Sequence, residues 1–268
     1  MNWGVSKLNE FEEGTEGGEP SFEDFLIDET DDEVNKKRKK RSERVRKGIA
    51  FVLVAVMMAN LLAIWPKVFN LPAMEFIKTS IELSQNDYIQ EYKQAVVAVQ
   101  GDNVKGTGFN ISSDGYVVTN YHVIKDIQNI LISFPNGEIF KGEVVRGFPD
   151  VDIAFLNIKG TNLPYLELNQ TFDWKENDQV FVIGNPLAYF QIVNEGQVIG
   201  VTTISDVKSE VMTISTPIYK GNSGSPVIDN NGKVIGVVFA KTIPKLKGTS
   251  ESMGLVIPIP EVLKRIPK

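Results

Sequence analysis

Between Ala95 and Ala240 the chain breaks into ten apolar runs of five to ten residues each. They are AVVAV (95–99), GYVVTNYHVI (115–124), NILISF (129–134), EIFKGEVV (138–145), DIAFLNI (152–158), QVFVIG (179–184), QVIGVTTI (197–204), EVMTIS (210–215), SPVID (225–229) and KVIGVVFA (233–240). Runs this short, rich in Val and Ile, read as strands rather than helices. Asp114-Gly115, Asn136-Gly137, Gly184-Asn185-Pro186 and Asn231-Gly232 stand between them as turn or hairpin signals. No helical pattern alternates with the strands, so the expected class is all-β, a sandwich or barrel rather than an alternating α/β sheet. No internal repeat is visible.

The chain before these runs is organised by charge. From Met1 to Val34 it carries twelve acidic residues against the single Lys7. It then reverses to Lys36-Lys37-Arg38-Lys39-Lys40-Arg41, followed by Arg44, Arg46 and Lys47. Blocks of like charge repel themselves and tend to stay disordered. Next comes IAFVLVAVMMANLLAIW (49–65), uncharged, with Asn60 its one polar side chain. As a helix it measures ~25 Å, a little under a hydrocarbon core of ~30 Å. Lys47 and Lys67 can snorkel outwards, Trp65 suits the interface, and Pro66 can end the helix. The basic run before the segment places residues 1–47 in the cytoplasm and the chain beyond Trp65 outside. A long charged leader and the lack of a small-x-small site favour a retained anchor over a cleaved signal. The expected plan is a disordered tail (1–47), a single membrane-spanning helix (48–69), a stalk (70–91) and a globular domain (92–268). In the stalk, Phe76, Ile77, Ile81 and Leu83 form one apolar side of a short helix.

A net charge of −6 argues against a nucleic-acid partner. With no cysteine and one histidine there is no disulfide, thiol nucleophile or convincing zinc site, and no cofactor is expected.

The chemistry is concentrated in three places. Lys220-Gly221-Asn222-Ser223-Gly224-Ser225-Pro226 sets a serine between glycines just before a strand. Bare backbone there lets a substrate approach and lets N–H groups converge on one point. A hydroxyl needs a base to become a nucleophile, and imidazole, with an unperturbed pKa of ~6.5, serves near neutrality. His122 is the only one, in Val117-Val118-Thr119-Asn120-Tyr121-His122-Val123-Ile124. Imidazole in turn needs an orienting carboxylate. Asp152, at the mouth of an apolar strand, is the best candidate, with Asp150 its neighbour and rival. Each signal alone is more often a turn, a structural histidine or a cap. Their order His, Asp, Ser is one of the known orders for the same geometry.

These blocks resemble one family. GTGFNISSDGYVVTNYHVI (106–124), DVDIAFLNI (150–158), VIGNP (182–186), YKGNSGSPVID (219–229), KVIGVVFA (233–240) and GLVIPI (254–259) are similar to successive segments of HtrA/DegP-type trypsin-like serine proteases, over about Tyr92 to Pro260. The resemblance implies two packed antiparallel β-barrels with a cleft between them. His122 and Asp152 would come from the first barrel and Ser223 from the second. It implies Ser223 as nucleophile, His122 as proton shuttle, Asp152 as its orienter, and the N–H groups of Gly221 and Ser223 as the oxyanion hole. It also places Pro217 at the base of the primary substrate pocket and Val238, Phe239 and Ala240 on its wall. An uncharged wall favours small or medium apolar side chains over Lys or Arg.

Three features depart from the family pattern. Ser225 stands where glycine is common, no PDZ domain is expected after the barrels, and an acidic tail precedes the anchor. Asn222 replaces the aspartate with which digestive trypsin-like enzymes bind a newly cut N-terminus, so no activating cut is expected. The implied function is a membrane-anchored endopeptidase acting on misfolded or exported proteins or peptides, with oligomeric state open. The alternatives are a non-catalytic chaperone or scaffold that keeps the fold, and a membrane signalling protein.

Overall fold

The computed structural model describes residues 29–68, 71–101, 104–186, 189–205, 207–241 and 253–267, without the side chains of 29–33 and 61–76. It divides into two compact units, Met1–Val68 and Phe69–Lys268.

Among the described residues the first unit holds one helix, α1 (Glu29–Val68), of 40 residues. The tail expected to be disordered is therefore helical from Glu29 on. Lys, Arg and Glu are good helix formers, and acidic residues near the start of a helix favour its dipole. Residues 1–28 lie outside the described set. Among the described residues no helix is long and apolar enough to cross a membrane. The expected span, 49–65, continues past residue 60 into positions whose side chains are not described.

The second unit begins with α2 (Leu71–Leu83) and α3 (Asp87–Gln94). The segment expected as a stalk is packed onto the domain. Ser80 is buried and its hydroxyl accepts the N–H of Val193 at 3.0 Å. Leu83 packs against the core, whereas Ile81 is exposed rather than on a buried side. Ile89 of α3 is fully buried.

Twelve strands follow among the described residues. The first six are β1 (Val96–Gly101), β2 (Val104–Asn110), β3 (Tyr116–Thr119), β4 (Ile130–Ser133), β5 (Ile139–Phe148) and β6 (Ile153–Asn157). They close into an antiparallel barrel in the order β1-β2-β3-β6-β5-β4. The second six are β7 (Gln179–Gly184), β8 (Ile192–Thr202), β9 (Val211–Ile214), β10 (Pro226–Asp229), β11 (Val234–Lys241) and β12 (Gly254–Pro258). They close in the order β10-β11-β12-β9-β8-β7. Read in the opposite direction this is the same connectivity, so the two barrels are topological copies without a visible sequence repeat.

The continuous apolar runs reflect this packing, because many strands are buried on both faces. Along β7, Val180 and Val182 point into the second barrel, while Phe181 and Ile183 join the cluster between the barrels. Val97 and Val99 fill the first barrel, and Val96 faces the shared cluster with Phe109, Val118 and Phe155. Turn chemistry holds where it was expected: Gly137 has φ +91°, and its N–H bonds to the carbonyl of Phe134 at 3.1 Å.

The apolar run 115–124 is not one strand. It leaves the sheet at Asn120 and turns through α4 (Tyr121–Ile124). Strands β2 and β12 have no counterpart among the ten runs. Gly106 and Gly108 interrupt the apolar pattern of β2, and β12 falls in GLVIPI (254–259), beyond the last of the runs. Last comes α5 (Ile259–Leu263), with Ile259 and Val262 buried.

Candidate active site

The register of one strand pair brings His122 to Asp152. Thr119, the last residue of β3, pairs with Ala154 near the start of β6. Three residues beyond Thr119 and two before Ala154 therefore fall at the same end of the sheet. The main chain closes this corner: the carbonyl of Asp152 accepts the N–H of Tyr121 at 3.2 Å and Nδ2 of Asn120 at 2.9 Å.

Asp152 holds His122 twice. Oδ1 accepts the main-chain N–H of His122 at 2.8 Å, and Oδ2 lies 2.6 Å from Nδ1 of the ring. A carboxylate can only accept, so Nδ1 carries the hydrogen, and in the neutral ring that leaves Nε2 as the acceptor. The Asp152 side chain is 16% exposed and that of His122 42% exposed, so the carboxylate is sheltered while the ring reaches solvent. Asp152 adopts φ +54°, a left-handed conformation that Asp tolerates better than most residues. The rival Asp150 is engaged elsewhere. Its carboxylate lies 3.6 Å from Nη2 of Arg265, and its carbonyl accepts the N–H of Lys208 at 2.9 Å.

Ser223 lies on the second barrel's turn into β10, and several main-chain groups of that turn are bound. The N–H of Asn222 donates to Tyr219 O at 3.0 Å, that of Gly224 to Val238 O at 2.8 Å, and that of Ser225 to Asn222 O at 2.9 Å. Among the described residues, the N–H groups of Gly221 and Ser223 donate no main-chain hydrogen bond. Gly221 has φ +104° and Gly224 φ +86°. A Cβ on Gly224 would lie 2.0 Å from the carbonyl of Thr107 and 2.6 Å from Oγ1 of Thr119, so glycine is required there on two counts.

The turn docks on the first barrel. The N–H of Thr107 donates to the carbonyl of Ser223 at 2.9 Å. A Cβ on Gly106 would lie 2.7 Å from Cγ1 of Val123, the residue after His122, and 3.4 Å from the carbonyl of Ser223. The segments carrying the histidine and the serine thus flank one glycine.

Asn222 and Ser225 are buried with Oδ1 and Oγ unpartnered in the described structure. Both atoms press on Gly184, where a Cβ would lie 2.7 Å from Asn222 Oδ1 and 2.2 Å from Ser225 Oγ. The serine that departs from the family pattern therefore fits because residue 184 has no side chain.

The four residues expected at the substrate pocket have different settings. Pro217 is exposed. Val238 is fully buried in the second barrel's interior, and its N–H and carbonyl hold Ser225 and Gly224. Phe239 and Ala240 are half-buried. Among the described residues no group of three or more His, Cys, Asp or Glu is placed to hold a metal ion.

Residues 106–237 match the model of the trypsin-like peptidase domain. A probable periplasmic DegP-like serine endoprotease of Chlamydia pneumoniae is 34% identical over 164 residues, 60% of this chain and 33% of that protein. The chain is similar to the HtrA/DegP-like trypsin-like serine proteases. A DegP-like relative from Pseudomonas fluorescens is 37% identical over 134 residues, 49% of this chain and 28% of its own. The HtrA/DegP-like chain thus spans about a third of the length of these curated relatives, which are described as serine endoproteases. Among solved structures, the Yersinia pestis serine endoprotease is 29% identical with a TM-score of 0.59, covering 66% of this chain and 63% of the other. An inactive form of Rv3671c from M. tuberculosis H37Rv is 27% identical with a TM-score of 0.60, covering 69% and 90%.

Sequence reasoning singled out His122, Asp152 and Ser223 as candidates but not Thr107, which joins the Ser223 turn to the first barrel. Its only local signal is its place between Gly106 and Gly108, in a block that carries family resemblance but no reactive side chain of its own before His122.

Proposed function

We propose that this chain is a serine endopeptidase held at the outer face of a bacterial membrane. The observation that carries the catalytic reading is the double engagement of His122 by Asp152 on the barrel that receives the Ser223 turn. In this reading Nε2 of His122 takes the proton of Ser223 as its oxygen attacks the peptide carbonyl. The imidazolium is stabilised by Asp152 and then protonates the leaving amine, and water hydrolyses the acyl-enzyme by the same route in reverse. The unpartnered N–H groups of Gly221 and Ser223 are suited to hold the developing oxyanion, for which a single donor is worth ~10²–10³ in kcat.

The substrates are misfolded or exported proteins, cleaved after small or medium apolar side chains. Support comes from the uncharged, half-buried Phe239 and Ala240, since a Lys or Arg beside them finds no counter-charge there, whereas Val238 is sealed inside the barrel and Pro217 is exposed. Profiling with a peptide library tests this, and a preference for Arg or Lys overturns it. Anchoring rests on the uncharged run 49–65 behind a basic block, within a continuous helix. Retention in the membrane pellet after alkaline carbonate, lost on deleting 49–65, is the expected result.

The activity is tested by digestion of casein with the full chain in detergent beside Ser223→Ala. Cleavage by the first and not by the second is expected. Cleavage by both, or by neither, refutes the reading.

A further inference from the structure

One buried hydroxyl outside the triad ties the nucleophile turn to the rest of the domain. Thr107, on β2 of the first barrel, is fully buried. Its Oγ1 donates to the carbonyl of Gly221 at 2.6 Å and receives the main-chain N–H of Asn185 at 2.9 Å. This direction is forced, because a main-chain N–H can only donate and a carbonyl can only accept. The same residue's N–H holds the carbonyl of Ser223, and its carbonyl accepts Oγ1 of Thr119 at 2.6 Å. Thr107 therefore grips the turn on both sides of Asn222.

The grip continues away from the turn. Asn185 is fully buried, with Nδ2 on the carbonyl of Val97 at 3.0 Å and Oδ1 receiving the N–H of Gln191 at 2.9 Å. Nε2 of Gln191 donates to the carbonyl of Lys93, in the last turn of α3, at 2.5 Å. A line of hydrogen bonds thus runs from α3 through Gln191, Asn185 and Thr107 to Gly221.

We propose that Thr107 is a positioning residue for the nucleophile turn, with Asn185 and Gln191 linking its hydroxyl to the helix that precedes the barrels. The physical reason lies in Gly221. Glycine at φ +104° has no Cβ to resist rotation of its peptide units, so sterics alone do not select one orientation. A buried carbonyl without a partner turns until it finds one. The Thr107 hydroxyl supplies that partner and fixes the Gly221–Asn222 peptide. The N–H groups of Gly221 and Ser223 belong to the peptides on either side of it and, among the described residues, donate no main-chain hydrogen bond. Removing the hydroxyl leaves the carbonyl of Gly221 and the N–H of Asn185 buried and unpaired at once.

This inference rests on the endopeptidase reading for its kinetic consequence, but not for its effect on the turn. The test compares the full chain with Ser223→Ala, Thr107→Val and Thr107→Ser in detergent, below all melting transitions. Peptide turnover and hydrogen exchange of the segment 219–225 are both read. Valine keeps the shape and the main-chain bond to Ser223 but loses the hydroxyl, whereas serine keeps the hydroxyl. Thr107→Val is expected to lower kcat by ~10²–10³-fold with KM within about 3-fold, comparable to loss of one oxyanion donor. It is also expected to speed exchange in 219–225, and Thr107→Ser is expected to restore both. If Thr107→Val does not fold, Thr107→Ala is read for the same outcomes. Wild-type kcat in the hydroxyl-free variant, or equal losses in valine and serine variants, overturns the proposal. If the unaltered chain shows no Ser223-dependent turnover, the endopeptidase reading fails instead. Exchange then decides this one, and unchanged exchange in Thr107→Val overturns it.

Discussion

Asp152 binds His122 through both of its oxygens, one on the main-chain N–H at 2.8 Å and one on the ring Nδ1 at 2.6 Å. The carboxylate thereby fixes the position of the histidine and the rotation of its ring together. Asp152→Asn keeps an oxygen for the main chain but offers the ring an N–H₂ where an acceptor is needed, which inverts the tautomer. The expected result is a fall in kcat of about 10⁴-fold with KM and melting temperature little changed. Steady-state kinetics on a fluorogenic peptide checks it.

At Gly224 the second barrel's turn lies in close contact with the first barrel. With φ +86° and no room for a Cβ between Thr107 O and Thr119 Oγ1, Gly224→Ala forces the turn off the first barrel. A loss of about 3 kcal/mol or more of stability is expected from overpacking and backbone strain together. Urea denaturation of the purified variant measures it, and a loss below about 1 kcal/mol contradicts the close contact.

Lys93 is 7% exposed, and its ammonium donates to Oγ of Ser84. Burial pushes its pKa below the ordinary lysine value. The folded chain therefore binds fewer protons than the unfolded one between the two pKa values, and stability rises with pH across that window. The cost of burying the charge is complete below the folded value and gone above the unfolded one, ~10.4. Lys93→Met is thus expected to stabilise at pH 7 by ~1 kcal/mol, with the gain shrinking as pH approaches 10.5. Thermal melts at a series of pH values decide it, and a gain that grows with pH contradicts it.

Glu261 shows the opposite sign. Burial works against its charge, but hydrogen bonds from Lys264 at 2.8 Å and Arg265 at 2.5 Å outweigh it and hold the carboxyl below its usual range. Stability from this group is present above the unfolded pKa and is lost as pH falls through the folded one. Glu261→Gln is expected to cost ~1 kcal/mol at pH 7 and almost nothing near pH 3. Melting the pair at both pH values tests it, and a gap that persists in acid is the contrary result.

The strands and the site were not equally legible in the sequence. Val180 to Ile183 read as a strand because both faces of β7 are buried, which makes an unbroken apolar run. The same logic misread Tyr121 to Ile124, since a helical turn with Val123 and Ile124 buried is also apolar. His122 was visible as the one histidine, near the end of an apolar run, and Asp152 as the residue that opens another, and the β3–β6 register brings these two places together. Thr107 was invisible as chemistry because its hydroxyl's partners lie 114 and 78 residues away. The helices before β1 looked like a stalk because Ser80, which bonds to β8, carries no apolar signal.

The most direct test is covalent. The full chain is treated with a fluorophosphonate, and the adduct is located by peptide mass spectrometry with its rate measured beside His122→Ala and Asp152→Asn. The expected result is a single adduct on Ser223, formed at least about 100-fold more slowly in either variant. An adduct on another residue, or equal rates in all three proteins, would contradict a hydroxyl activated by His122 and Asp152.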